Sequence, residues 1–391
     1  MDVLPNEEEQ MVKNLAREFL EAECPPRLAR DMEKDDLGYP PDLWRQMADL
    51  GWLGISLSEQ YGGQGLPLTY LGLITEELGR AIAPVPFHST MVAALTIAEA
   101  GTDQQRQDLL TRVSSGDLVL TWAFSEENPR YLPDTIRCQA TEDGDSFILN
   151  GTKMFVDNFV AAEKCLVACR TAPATDNNHG ISLLLVDAGS TGVSQIALTT
   201  LAKDKQSKVT FDNVRVPKAN LIGDLNHGWR VAQRMLDRGT ALLCAQMVGA
   251  ARKDAEMGID YAKNRVAFGR PIAGFQSIQH MCADMILWVD GGQLLTYEAL
   301  WKMDQGLPAV MEVSQAKSFC NDKCEAVVRT SQVLHGGMGF MMEFDLHLWY
   351  RRVTAWSMRL GTSFEHRARI ARALLDQPGQ VRLGMNLEMP A

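Results

Sequence analysis

The sequence predicts an α+β multidomain protein in three parts: an all-helical N-terminal domain over residues 1–117, a middle β barrel or sandwich over 118–225, and a C-terminal four-helix bundle over 226–391. Two observations predict it. The apolar period is helical at first, breaks into short strand-like runs near Leu118, and returns to 3.6 residues near Trp229. Turn dipeptides punctuate the middle stretch at Asp143-Gly144, Asn150-Gly151 and Asp212-Asn213.

Asn6 followed by Glu9 reads as a capping box. Met11, Leu15, Phe19 and Leu20 then recur at helical spacing. Pro40-Pro41-Asp42 opens a second helix through Trp44 and Met47, and 51–65 is a glycine-punctuated connection. Helical runs over 71–78, 90–100 and 104–113 complete the first part. Strand-like runs cover 118–124, 135–141, 146–149, 153–156, 164–170, 181–186, 208–211 and 214–216. Asn-Gly between apolar runs is the strongest short hairpin signal, so 146–149 and 153–156 are expected to pair across Asn150-Gly151. Pro217 ends the β part. Four long helices follow, over 231–264, 278–304, 310–334 and 344–375, and short connections make them an antiparallel bundle.

Composition narrows the function classes. A chain of 391 residues can bury a large core, and 46% hydrophobic with 22% charged residues is ordinary for a globular protein. The formal net charge of -11 repels phosphate backbones, so nucleic acid is not an expected partner. The opening MDVLPNEEEQ has neither a basic nor an apolar targeting region, and the apolar run 241–251 is too short to span a bilayer. The expected location is cytoplasmic, without membrane contact. Eight cysteines lack CxxC spacing, which reads as reduced thiols rather than disulfides, and no metal site is expected. No histidine lies in a GxSxG or HExxH motif.

Two motifs carry chemistry, and each has a plainer reading. Gly336-Gly337-Met338-Gly339 follows a helix, whereas a dinucleotide fingerprint follows a strand. On spacing alone it is a glycine helix stop, although side-chain-free backbone also lets a cofactor approach. Arg265 to Ile272, RVAFGRPI, breaks one helix before the next. Arginine there suits phosphate, or simply a helix C-terminus.

Taken together, the motifs resemble the acyl-CoA dehydrogenase family. NRVAFGRPIAGFQSIQHMCADM over 264–285 is similar to the family stretch in which R-x-x-F-G precedes F-Q and A-D-M. Four further segments agree in order: GWLGISLSEQYGGQG over 51–65, Asn150-Gly151-Thr152-Lys153, Val216-Pro217 through Leu221-Ile222-Gly223, and Gly336–Phe340 with Gly361-Thr362. The resemblance spans nearly the whole chain. It implies FAD, an acyl-CoA substrate, electron-transfer flavoprotein as acceptor, and dimers or tetramers with FAD at a subunit interface. It also implies a carboxylate that removes the α-proton while the β-hydrogen leaves as hydride. CoA is polyanionic, so an acidic chain would meet it through a local basic patch.

Residue by residue, the resemblance divides. The half that reaches a neighbouring subunit's FAD is kept: Arg265 at the diphosphate, Phe268 and Gln276 on the adenosine side, Gly336 and Gly337 for close approach, and Gln332 one place off the usual glutamine. The half that holds the chain's own flavin ring is altered. Trp122, Ser125 and Thr362 fit; Arg130 and Tyr131 stand for a glycine and a serine; Phe155 and Asp157 stand for an aromatic residue and a threonine. The two family positions for the catalytic carboxylate hold Leu360 and Gly239, the latter followed by Thr240, so no catalytic residue is assigned. Three functions follow: the base-lacking subunit of a heteromeric dehydrogenase, a self-sufficient enzyme with a displaced base (Asp157, Glu126 or Glu127), or a non-catalytic binding or scaffold protein.

Overall fold

The computed structural model describes residues 3–173 and 179–375. The last 16 positions of the expected C-terminal domain, 376–391, lie outside them. Helix α1 (Glu7–Glu23) starts on the expected capping box: the Glu9 N–H donates to Asn6 Oδ1 at 2.9 Å, and the Asn6 N–H to Glu9 Oε2 at 2.8 Å. Helices α2 (Pro26–Met32) and α3 (Pro41–Asp49) each begin on proline, whose fixed φ suits a first helical position. Helices α4 (Leu68–Arg80), α5 (Phe87–Ala100) and α6 (Asp103–Ser114) finish this layer. Helix α4 is buried nearly all round, its Glu76 and Glu77 ion-paired with Lys13 and Arg17 of α1, and packs against α1 and the C-terminal bundle.

The middle domain is one mixed sheet of β1 (Leu120–Ala123), β2 (Gln139–Asp143), β3 (Ser146–Asp157), β4 (Lys164–Arg170), β5 (Ile181–Asp187), β6 (Val193–Leu198), β7 (Gln206–Pro217) and β8 (Leu221–Ile222). Its order is β6-β7-β3-β2-β4-β5-β8, with β1 parallel to β4. Two turn assignments need correction. Asn150-Gly151 lies inside the unbroken strand β3, and Asp212-Asn213 inside β7. The sites face each other across a register shift, where the Asn213 N–H donates to Asn150 Oδ1 at 2.8 Å. Gly151 (φ 146°) and Asn213 (φ 51°) supply the positive φ that a bulge uses as readily as a hairpin turn. A Cβ on Gly151 would stand 2.7 Å from the Cys138 Cα, so no other residue fits without movement. Asp143-Gly144 does turn a hairpin, with Asp143 paired to Ser146.

The C-terminal part contains α7 (Trp229–Asn264), a small hairpin of β9 (Val266–Ala267) and β10 (Arg270–Pro271), α8 (Gln276–Asp304), α9 (Val310–His335), α10 (Leu346–Ser357) and α11 (Ser363–Leu375). The expected fourth helix over 344–375 is therefore two. It breaks at 358–362, where Leu360 (φ 56°) and Gly361 (φ 103°) are left-handed and the His366 Nε2 bonds the Leu360 carbonyl at 2.8 Å. One apolar core joins the N-terminal helices to the bundle, and a second fills the sheet around Phe147, Val167 and Phe211. Among the described residues no helix is long and apolar enough to cross a membrane.

Candidate active site

The break between α10 and α11 carries Leu360 into a cleft of about 650 Å³ lined by Tyr131, Trp229, Leu236, Asp237, Leu360 and Arg369, among others. Gly239, on α7, meets it there: a Cβ on Gly239 would lie 3.5 Å from Leu360 Cδ1 and 3.4 Å from Val92 Cγ2. The two positions at which the resemblance expects a carboxylate are thus one place in space, and it is hydrocarbon. Thr240 is turned to its own helix, donating to the Leu236 carbonyl at 2.7 Å. Of the carboxylates lining the cleft, Asp134 is exposed at its edge, and the other two have partners. Asp237 accepts from Arg369 Nη2 at 2.7 Å, and burial raises its pKa. Glu365 caps α11, accepting the Thr362 N–H at 2.8 Å and its hydroxyl at 2.9 Å.

On the ring side, Asp157 ends β3 and is ion-paired with Arg359, which precedes Leu360; Asp204 lies 3.9 Å from the same guanidinium. Burial lowers the Arg359 pKa to about 10, still a cation at neutral pH. Tyr131 stacks on Phe124 at 5.6 Å, and its hydroxyl oxygen accepts the Leu360 N–H at 3.3 Å. The cavity beside Asp157 is about 60 Å³, room for a few waters and far short of a tricyclic ring. Trp122 and Ser125 are buried, and the Trp122 Nε1 has no hydrogen-bond partner among the described residues. Phe155 is half exposed at φ 56°, a rare conformation for an aromatic residue. Arg130 is exposed at the rim of the larger cleft. Of the alternative acids, Glu126 takes Lys153 Nζ at 2.7 Å and the N–H groups of Arg137 and Cys138 at 2.8 and 3.0 Å, while Glu127 is exposed. Sequence reasoning missed Arg359 and Asp237. The available signal for Arg359 was a cation directly before Leu360, able to answer the unexpected charge of Asp157.

The opposite end of the bundle is open. Helices α7 and α9 end side by side, where Tyr261 stacks on His335 at 4.3 Å. Arg265 closes α7 and is exposed. Phe268 projects from the β9–β10 hairpin, 93% exposed, edge-on to Phe275 at 6.1 Å. Gln276 begins α8 and is exposed. A Cβ on Gly336 or Gly337 would meet nothing within 4 Å; Gly336 ends α9 at φ 57° and ψ -134°, the glycine helix stop, whereas neither packing nor a positive φ inside this chain explains Gly337. Gln332 differs from its expected place on this surface. It is buried, its Oε1 lacks a partner among the described residues, and Val333 is the exposed neighbour, because the helical turn points residue 332 into the bundle.

Models of the acyl-CoA dehydrogenase N-terminal, middle and C-terminal domains match residues 6–117, 121–214 and 226–375. The chain belongs to the acyl-CoA dehydrogenase family. It is 31% identical to the 3-(aryl)acrylate reductase of Clostridium sporogenes over 94% of this chain and 99% of that protein. It is 30% identical to the rat mitochondrial short-chain specific acyl-CoA dehydrogenase, over 94% and 90%. Among solved structures it is similar to a variant of the Tcur3481–Tcur3483 steroid ACAD (TM-score 0.86, 31% identity, covering 95% and 98%). It is similar also to the ChsE4–ChsE5 complex from Mycobacterium tuberculosis (TM-score 0.89, 27% identity, covering 97% and 100%).

Acyl-CoA dehydrogenases bind FAD and act on CH–CH bonds. The chain's residues fit that cofactor at the open end, and at the other end an ion pair stands beside the cleft. The open glycines and exposed Arg265 suit a diphosphate approaching from outside the chain. Beside Asp157, the ion pair with Arg359 borders a cavity of only about 60 Å³, while the cleft lined by Tyr131 and Leu360 holds about 650 Å³.

Proposed function

We propose that this chain is the base-lacking subunit of a heteromeric acyl-CoA dehydrogenase. It grips the diphosphate and adenosine of an FAD whose ring lies in a homologous subunit, and that subunit supplies the carboxylate and receives the acyl-CoA. One observation carries the reading: Gly239 and Leu360 meet at the base position and neither ionises. α-Proton removal needs an acceptor within hydrogen-bond reach of the substrate carbon, and an apolar floor offers none. Two similar solved structures are named as pairs of chains, which supports a two-chain assembly. FAD, when bound, supplies hydride acceptance. Electrons then leave to an electron-transfer flavoprotein.

This chain's own residues would bind and orient. The Arg265 guanidinium offers a planar fork to diphosphate oxygens, and Gly336-Gly337 lets backbone come close where a side chain would intrude. A displaced base is disfavoured, because Asp157, Glu126 and Asp237 are each held by a cation.

The test is co-production with base-bearing family subunits from the same genome. A yellow, active complex is expected. Arg265→Gln should cut its FAD content at least about tenfold, the cost of losing one charge-assisted contact. Because Arg265 is exposed, the stability of the isolated chain should change by less than about 0.5 kcal/mol. A yellow, active chain purified alone would refute the proposal.

A further inference from the structure

We propose that the narrow cavity behind Asp157 is a binding site for a small oxyanion, a carboxylate or a phosphate, anchored by Arg352. The proposal rests on the reading that no flavin ring occupies this side of the chain. Arg352, on α10, lines the cavity and is 8% exposed, yet it makes no hydrogen bond or ion pair with any described residue. A guanidinium has five N–H donors, and those of Arg352, with no partner among the described residues, are left to water or to a ligand in the cavity.

The charges of Asp204 and Glu33 act on Arg352, but the hydrogen bonds of the nearby carboxylates go elsewhere. Glu33 takes Arg351 Nη2 at 2.6 Å. Asp204 accepts the Thr200 hydroxyl at 2.6 Å and Gln206 Nε2 at 3.2 Å. Asp157 holds Arg359. The surroundings are cationic: Arg351, Arg352, Arg359, Lys203 and Lys205 stand against Glu33, Asp157 and Asp204. His88, also on the wall, is kept neutral by burial, with its pKa near 4. A local positive excess in a chain of net charge -11 is an attractor for anions. At about 60 Å³ the cavity admits the head of a carboxylate or phosphate and little more. Two guanidinium N–H groups of Arg352 would then meet two oxygens in the planar geometry that suits them.

The test is calorimetric titration of the purified chain with inorganic phosphate and, separately, acetate, against chloride at constant ionic strength. Saturable binding of at least one anion is expected. Arg352→Gln should weaken it at least about tenfold, Arg352→Lys by less, and Arg372→Gln, a cation of the neighbouring cleft, not at all. Saturation by phosphate alone assigns a phosphoryl group, and by acetate alone a carboxylate. No saturation above chloride, or undiminished binding in a folded Arg352→Gln chain, overturns the site. Should Arg352→Gln fail to fold, undiminished binding in Arg352→Lys overturns it. Visible absorbance of the same samples separates the two readings. A yellow isolated chain defeats the flavin-free reading of this side, whereas a colourless chain that ignores both anions defeats only this site.

Discussion

At the scale of the residue, Asp157 and Arg359 explain each other. Either charge alone in this poorly solvated place would be unfavourable; paired, they tie the sheet to the bundle. Asp157→Asn should destabilise the chain by about 3 kcal/mol, because it strands a partly buried guanidinium. The double change Asp157→Asn with Arg359→Leu should cost less than the two single changes added, measured by urea unfolding. Strict additivity would show that the bridge is ornamental. Two histidines set a pH response. The His366 Nε2 bonds the Leu360 carbonyl, its Nδ1 has no partner among the described residues, and burial holds its pKa near 3; burial likewise holds His88 near 4. Both values lie below the ordinary histidine pKa, so between about pH 6.5 and 4 the unfolded chain takes protons the folded chain refuses. Stability should therefore fall as pH drops through that window, by up to roughly 3 kcal/mol for each histidine. A flat urea midpoint from pH 7 to 4.5 would contradict this. The loss of both carboxylate positions was legible in the sequence, at Leu360 and Gly239. The guard at Asp157 was not, because it needs a contact between residues some 200 positions apart.

At the scale of the element, helices α4 and α7 cross on glycine. A Cβ at Gly79 would strike the Gln246 carbonyl, and one at Gly249 the Glu76 carbonyl, so the two backbones touch where side chains are absent. Gly249→Ala should lower stability by about 2–3 kcal/mol, checked by thermal unfolding, since the rigid carbonyl cannot yield as a flexible side chain would. A neutral substitution would mean that the helices slide apart freely. The same scale shows what periodicity can and cannot read. Helices α7, α8 and α9 were legible because their apolar stripe runs unbroken for many turns. The break after α10 was not, because a leucine at positive φ has no sequence signature and only Gly361 beside it hints at one. Strand β6 was missed because it is largely exposed and carries no apolar run. Asn150-Gly151 misled because a bulge and a hairpin turn ask the same backbone of the same residues.

At the scale of the whole molecule, the three family domains are assembled around two unequal ends. One end presents Arg265, Phe268 and two open glycines to the outside; the other sets an ion pair, a tyrosine and a leucine around a cleft of about 650 Å³. The kept and altered motifs were legible one by one in the sequence, but only the fold brings Gly239, Leu360 and Tyr131 together. That the altered end alone retains no flavin is the claim on which the proposed role depends. Its most direct measurement is the visible absorbance of the isolated chain after incubation with excess FAD and desalting. The expected spectrum is colourless, and colour should be retained only when a base-bearing subunit is present. Stoichiometric flavin retained by the chain alone would contradict the account.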